Sequence, residues 1–427
     1  MERTIYTESE ALQFIQENDV RFIKLFFTDV YGVLKSFSIQ PTELSRAFSE
    51  GISFDASAVP GFLGVAESDL FIVPDPSTLC VLPWRPREGR VVRFFCSIFR
   101  SDGTPFEGDT RRLLFDFSES QRARGIELNV GTECEFYLFK LGEDGYPSKE
   151  PHDRARYCDL APKDKGENVR REICLTLEQM GVHPISSHHE TGPGQNEVDF
   201  QHADALTAAD NVQTFRTVVS TVSAKNGLFA SFLPKPLENE AGNGFHVNIS
   251  LFRRGENIFL SKDAEVEREA NAFVAGLLRR AREISAFVNP LASSYKRFGV
   301  FEAPAFVSHS HENRSQLIRI PSAKGERARI EFRQPDPAAN PYLALYLILR
   351  AGIEGMDDSL TLPPELNIDL YNAPKETLSR LEKLPSSLAE ALESAKKSEF
   401  LKNALPARTL EFFLNEPIDH DYAFGDF

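Results

Sequence analysis

The stretch 242–252, GNGFHVNISLF, most narrows the folds open to this chain. Side chains on a strand alternate between faces, so Phe245, Val247, Ile249 and Leu251 form an apolar row while His246, Asn248 and Ser250 form a polar one. Such a strand, entered from a glycine-rich loop, packs one face on a core and offers the other to a wet cavity. The reading requires other segments to bring matching polar rows to the same place.

Three segments supply them. In 125–140, GIELNVGTECEFYLFK, Glu133 and Glu135 share one strand face, with Phe136 and Leu138 on the other. Two carboxylates that close repel and are costly in a core unless a cation lies between them; a solvated edge strand with acidic outward residues would show the same pattern. Residues 187–200, SHHETGPGQNEVDF, add Glu190 before a glycine- and proline-punctuated loop, then Gln195, Glu197 and Asp199 on one face. Residues 328–334, ARIEFRQ, place Arg329, Glu331 and Arg333 on one side and Ile330 and Phe332 on the other. An oxygen-rich set of this kind with one imidazole suits two or more divalent cations, Mg²⁺ or Mn²⁺, although a lone strand histidine is more often packed than ligating. Lys296, Arg297, Arg314, Arg319 and Arg333 form a basic set beside it. Cations next to metal-binding carboxylates suit phosphoryl transfer, though Arg314 and Arg319 also fit a solvated surface.

At 427 residues the chain exceeds one ordinary core, and 41% hydrophobic with 26% charged residues is a globular composition. The net charge of −15 argues against a nucleic-acid partner, which calls for a basic face. Cys80, Cys96, Cys134, Cys158 and Cys174 are odd in number and lack a CxxC pair, so neither a disulfide framework nor a thiolate zinc site is indicated. With no signal-peptide pattern and no apolar run of spanning length, the expectation is a cytoplasmic protein without a membrane partner.

A short amphipathic helix near 9–18 precedes two strands in 21–40, joined by a turn at Asp29-Val30-Tyr31-Gly32. A loop of small residues is expected over 51–67 and a strand over 91–99. Turn residues at 101–105, SDGTP, put a domain boundary there, giving domains 1–103 and 104–427. Long helices are expected over 165–180, 203–225, 264–288 and 341–355, with Asn226-Gly227 and Asn289-Pro290 as stops and Asn340-Pro341 as a start. No GxGxxG turn or regular βαβ alternation accompanies them.

FDAS at Phe54, GTECEF at Gly131, HHETGPGQNEVDF at His188, PKPLENEAGNGFHV at Pro234, SSYKRF at Ser294, EAP at Glu302, ENRSQLIRIP at Glu312 and RIEFRQPDPAANPYL at Arg329 occur in one order. Together they resemble type I glutamine synthetases over most of the chain. The resemblance implies an α+β chain: an N-terminal β-grasp domain and a catalytic domain whose incomplete β-barrel is surrounded by helices. It implies ATP-dependent ligation of ammonia to the γ-carboxylate of glutamate through γ-glutamyl phosphate, with active sites between subunits of a homo-oligomeric hexameric ring or dodecamer. It assigns Glu133, Glu190 and Glu197 to one cation and Glu135, His246 and Glu331 to another. Arg297, Arg333 and Gly242 fall to glutamate and the transferring phosphoryl group, and Asn248, Ser250, Arg314 and Arg319 to ATP. Asp55, from a neighbouring subunit, and Glu302, on a flap, fall to ammonium and its proton.

The chain departs from the family pattern at the substrate. Ala241 stands where an asparagine contacts glutamate, Asn248 replaces a histidine near ATP, and the segment between Arg297 and Glu302 is one residue short. A γ-glutamyl ligase for a larger amine is therefore the nearest competing enzyme, with Asp55 and Glu302 against it. More distant competitors are a metal-dependent carboxylate or guanidino kinase and a silent ATP- or glutamate-binding relative. Tyr371 in DLYNAP resembles a modified tyrosine of some relatives, and also fits a packed surface tyrosine. The tail after Pro406 lacks the helix that locks double rings.

Overall fold

The turn that opens the first sheet is built from its own side chain. Asp29 Oδ1 accepts from the amides of Tyr31 (3.0 Å) and Val33 (2.9 Å), and Gly32, at φ +83°, takes the left-handed conformation that closes it. In the computed structural model, which describes residues 5–85, 88–322, 325–416 and 418, this turn joins β1 (Val20–Thr28) to β2 (Leu34–Ile39) in antiparallel register. Helix α1 (Glu8–Glu17) precedes them, its N-terminus closed by a Thr7–Glu10 capping box. Helix α2 (Leu44–Ser49), β3 (Ile52–Asp55), β4 (Asp69–Pro74), β5 (Cys80–Val81) and β6 (Arg90–Phe99) follow, giving the sheet order β2-β1-β6-β4-β3 with β5 on β6. The expected small-residue loop at 51–67 thus contains a strand. Four residues carry too little alternation to declare one, and pairing with β4 supplies the rest.

Beyond the turn at 101–105, Asp109 caps α3 (Thr110–Ala123), which precedes the long β7 (Ile126–Leu141) and β8 (Pro147–Pro151). Helix α4 (Glu167–Gln179) leads into β9 (Pro184–His189), β10 (Gln195–Phe200) and β11 (Ala203–Asp204). Helix α5 (Ala205–Lys225) returns the chain to β12 (Leu228–Ser231), β13 (Phe245–Arg253) and β14 (Glu256–Asn257). After α6 (Ala264–Val288) come β15 (His309–His311), β16 (Ile318–Ile320) and β17 (Ile330–Phe332), then α7 (Pro341–Asp357). The second sheet runs β15-β16-β17-β13-β7-β10-β9 and curls into a half-barrel. The α+β architecture is as the sequence implied.

One face of this sheet carries the core. Val247, Ile249, Leu251, Phe136, Leu138, Val198, Ile330 and Phe332 are buried beneath α5, α6 and α7. The α6–α7 crossing is close because glycines face each other. A Cβ on Gly276 would lie 2.3 Å from the Ala351 carbonyl oxygen, and one on Gly355 would lie 2.2 Å from that of Ala272. Gly276→Ala gains about 1 kcal/mol of helix propensity, but forcing two backbones apart costs about 1–3 kcal/mol or more. The expected result is a lower denaturant midpoint at unchanged slope, and an unmoved midpoint would refute the packing argument.

The tail forms a helix over Ala407–Asn415, docked on the chain's own core through Leu410 and Phe413. No helix among the described residues is long and apolar enough to cross a membrane.

Candidate active site

The polar rows meet by register. On β13, His246 stands opposite Glu133 of β7, and Asn248 stands opposite Glu331 of β17. On the other side of β7, Glu197 and Asp199 of β10 pair with Glu135 and Glu133. Four strands bring five carboxylates and the imidazole of His246 to the face opposite the core, and the end of β9 with the turn after it adds His188 and Glu190.

Within this face, oxygen and nitrogen atoms of Glu133, His246 and Glu331 lie within 4.8 Å of one another, as do those of His188, Glu190 and Glu197, and those of Glu133, Glu197 and Asp199. The resemblance grouped Glu133 with Glu190 and Glu197, and Glu135 with His246 and Glu331. The structure differs at Glu133: the antiparallel register sets it beside His246, at 3.2 Å, and it also stands in the group with Glu197 and Asp199, while Glu135 reaches toward the glycine loop. Gly244 N–H and Gln195 Nε2 donate to Glu135 Oε2 at 2.9 and 2.8 Å. Gly244 has no room for a Cβ, which would sit 2.7 Å from His246 Nε2 and 3.1 Å from Glu135 Oε1.

The electrostatics divide the carboxylates. Burial, then the charge of Glu190, pushes Glu135 up to about 8. Burial, then neighbouring carboxylates, also holds Glu197 and Asp199 above their ordinary values. Burial opposes the charge on Glu331 too, but Arg333, His246 and Arg319 outweigh it and hold this group at about 2. Arg319 Nη1 donates to Glu331 Oε2, and Arg333 Nη1 donates to Oε1. Asp199 Oδ1 is buried without a hydrogen-bond partner, as are the Nε atoms of Arg297, Arg319 and Arg333. An orphaned carboxylate oxygen among repelling carboxylates fits divalent cations, and orphaned guanidinium donors, two of them on the arginines that hold Glu331, fit an anion.

The remaining expected residues are placed unequally. Arg297 is buried, 3.7 Å from Asp336, and leaves no space at Gly242, where a Cβ would lie 2.5 Å from Arg297 Cγ and from the Pro234 carbonyl oxygen. Asn248 donates to Glu133 Oε1 (2.8 Å) and Ser250 donates to the Ala328 carbonyl. Glu302 is exposed at φ +64°; its carbonyl accepts from Arg333 and its carboxylate lies 3.9 Å from the same guanidinium. Phe301 beside it, at φ +47°, lies over Lys235 of the glycine loop. Arg314 and Lys296 are exposed. Asp55 ends β3 in the first sheet, exposed, with its carboxylate accepting from Ser57. Within one chain it is not brought to the second sheet's carboxylates. Ala241 is buried, its carbonyl held by Tyr137 Oη at 2.6 Å.

Sequence reasoning missed His188, whose Nε2 bonds Glu190 Oε1 at 2.9 Å. Parity had put Arg329 in the polar row of Glu331 without giving it a role; its Nε donates to Asn248 Oδ1 at 2.7 Å.

The chain matches known proteins over nearly its whole length. The glutamine synthetase catalytic-domain family matches residues 107–417 and the glutamine synthetase β-grasp family matches residues 19–101. The chain is similar to a glutamine synthetase of Clostridium saccharobutylicum, 42% identical over 405 residues covering 94% of this chain and 91% of the other. It is also similar to one of Staphylococcus aureus (strain MW2), 42% identical over 429 aligned residues covering 99% and 96%. A solved GmaS/ADP complex superposes with TM-score 0.85 at 30% identity, covering 94% of this chain and 93% of that one. A cryo-EM structure of Plasmodium falciparum glutamine synthetase shares the fold at TM-score 0.85 and 24% identity, covering 99% of each chain. On these matches and on the site they span, the chain is an enzyme of the glutamine synthetase family.

Proposed function

We propose that this chain joins ammonia to the γ-carboxylate of L-glutamate at the expense of ATP, through γ-glutamyl phosphate, giving glutamine, ADP and phosphate. The observation that carries the reading is the polar face on which Glu331, clamped by Arg319 and Arg333, meets His246 and Glu133 beside a second acidic group at Glu190 and Glu197. Mg²⁺ or Mn²⁺ held by Glu133, Glu135, Glu190, Glu197, His246 and Glu331 would neutralise the ATP phosphates. The unpartnered Nε donors of Arg297, Arg319 and Arg333 are suited to the glutamate carboxylate and the phosphoryl group in transfer. Asn248, Ser250 and Arg314 border the nucleotide end, and Arg329 supports it through Asn248. Gly242 gives glutamate a passage where any side chain would strike Arg297.

A carboxylate is a poor acyl donor. Its γ-oxygen attacks the terminal phosphate, and phosphate then leaves as ammonia adds. Glu302, and Asp55 delivered by a neighbouring subunit of a ring, favour ammonium and take its proton. The ring, a hexamer or a pair of hexamers, supplies what a single chain lacks, since Asp55 stands in the first sheet away from the carboxylates. Residence in the cytoplasm accompanies this metabolic role.

A larger amine as acceptor is the second reading. It is favoured by Ala241, whose small side chain removes a polar group from the glutamate end, and by the short flap at 298–301. The test is phosphate release from ATP, Mg²⁺ and glutamate with ammonium, methylamine, ethanolamine or putrescine, the product identified by mass. Ammonium is expected to exceed methylamine in kcat/KM by at least about tenfold, the scale on which one methylene is discriminated. Preference for a larger amine would replace the main reading, and release independent of any amine would point to a kinase.

A further inference from the structure

Behind the β9–β10 turn lies a second buried group of ionisable residues that takes no part in the site described above. Asp153, Asp164, Arg170 and His189 are each no more than 5% exposed. Asp153, Asp164 and His189 have the spacing of a metal triad, but their partners argue otherwise. Arg170 forms a two-pronged pair with Asp164, through both terminal nitrogens. Two carboxylates are thus matched by one guanidinium and one imidazole, and no positive charge is left for a cation to supply.

The imidazole is held at both nitrogens by oxygen acceptors, Nε2 by Asp153 Oδ1 at 2.8 Å and Nδ1 by the Glu190 carbonyl at 2.6 Å. Neither acceptor has a proton to give, so both ring nitrogens donate. Asp153 Oδ1 also accepts from the Gly194 amide at 3.0 Å, and Asn196, bonded to Arg170 at 2.6 Å, donates to the Gly194 carbonyl at 2.8 Å. The two ends of the turn, Glu190 and Gly194, are therefore tied to one buried ionic network. Gly194 permits this at φ +72°, where a Cβ would meet the Leu138 carbonyl at 2.8 Å. From the same turn the Glu190 carboxylate is presented to His188, 2.9 Å away, with Glu197 in the same group.

The geometry points to His189 and Asp153 as positioning residues that fix the Glu190 main chain, and so set the Glu190 carboxylate in place for a divalent cation. This inference rests on the reading of Glu190 as a cation ligand. Partners of this kind, one bond removed from a metal site, change affinity about 10- to 100-fold when lost. In a merely structural network the same loss would lower stability and leave affinity alone.

The test is direct Mn²⁺ binding to the full-length protein, read from the electron paramagnetic resonance signal of free Mn²⁺, for wild type, Asp153→Asn, His189→Gln and His189→Ala. Circular dichroism and thermal melting check the fold, and Asp153→Asn preserves shape if His189→Ala does not fold. The expected result is one class of Mn²⁺ site weakened at least about tenfold in His189→Ala and in Asp153→Asn, with partial recovery in His189→Gln. KM for ATP is expected to rise in parallel at saturating glutamate. Wild-type affinity in folded variants of lowered melting temperature would overturn the inference while leaving the functional reading intact. A wild-type protein that binds no Mn²⁺ would overturn both.

Discussion

Glu331→Gln is expected to lower the rate of ATP-dependent phosphate release about 10²–10³-fold or more while the protein stays folded. Glu331 is 1% exposed and receives Arg319 and Arg333 on its two oxygens, with His246 3.7 Å away. Glutamine keeps the volume and one carbonyl acceptor but removes the charge that the two guanidiniums face. It also removes one of the two carboxylates that stand with His246. Alanine is the poorer probe: it would leave two guanidiniums without their anion, a change worth about 3–5 kcal/mol when a buried pair is broken. Activity and stability would then be lost together. Comparing kcat, Mn²⁺ affinity and melting temperature of the glutamine variant separates them. Near-normal turnover in that variant would remove Glu331 from the chemistry and sink the proposed mechanism.

The parts of this site legible in the sequence were those governed by local periodicity. Strand alternation gave the polar row of β13 and the shared faces of Glu133 with Glu135 and of Glu197 with Asp199, because parity is fixed by the pleat wherever a strand forms. Helix α6 was legible over Ala264–Val288, with Asn289-Pro290 as its stop, and the structure adds Asp263 as its cap. What sequence could not give was which strand lies beside which, and in what register. Which of Glu133 and Glu135 stands opposite His246 depends on the β7–β13 register, a long-range property that a shift of two residues would reverse. His188 was missed for a related reason: its importance comes from facing Glu190, two residues on, across a strand end where alternation stops. The ionic network behind the turn joins Asp153, Asp164, Arg170 and His189 from separate segments, and none carries a local signature. Asp55 shows the remaining limit. The resemblance assigns it to the site through a neighbouring subunit, a relation that no periodicity within one chain can carry.

In the metal-free protein, stability is expected to fall as pH rises from about 5 to 8, and added Mg²⁺ is expected to stabilise more at pH 8 than at pH 6. Glu135 is held at about 8 against an ordinary 4.5, by burial first and then by the charge of Glu190. A carboxyl raised in this way keeps a proton in the folded state that the unfolded chain has already lost. Its favourable contribution is therefore present at low pH and disappears as pH climbs through the window between those two values. Glu197 and Asp199, raised by burial first and by neighbouring carboxylates, act in the same direction. Glu331 acts oppositely, but at about 2 its titration is complete before this window opens. Each proton so displaced is worth about 1.4 kcal/mol per pH unit. A divalent cation binds the carboxylates in their ionised form, so it removes the repulsion and releases the protons. Two readings check this: the melting-temperature difference between Mg²⁺ and a chelator at each pH, and the acid released when Mg²⁺ is added in weak buffer near neutrality. A stabilisation by Mg²⁺ that is flat or shrinks toward pH 8, with no acid released, would mean that these carboxylates are ionised without a cation and that the face is balanced by its arginines alone.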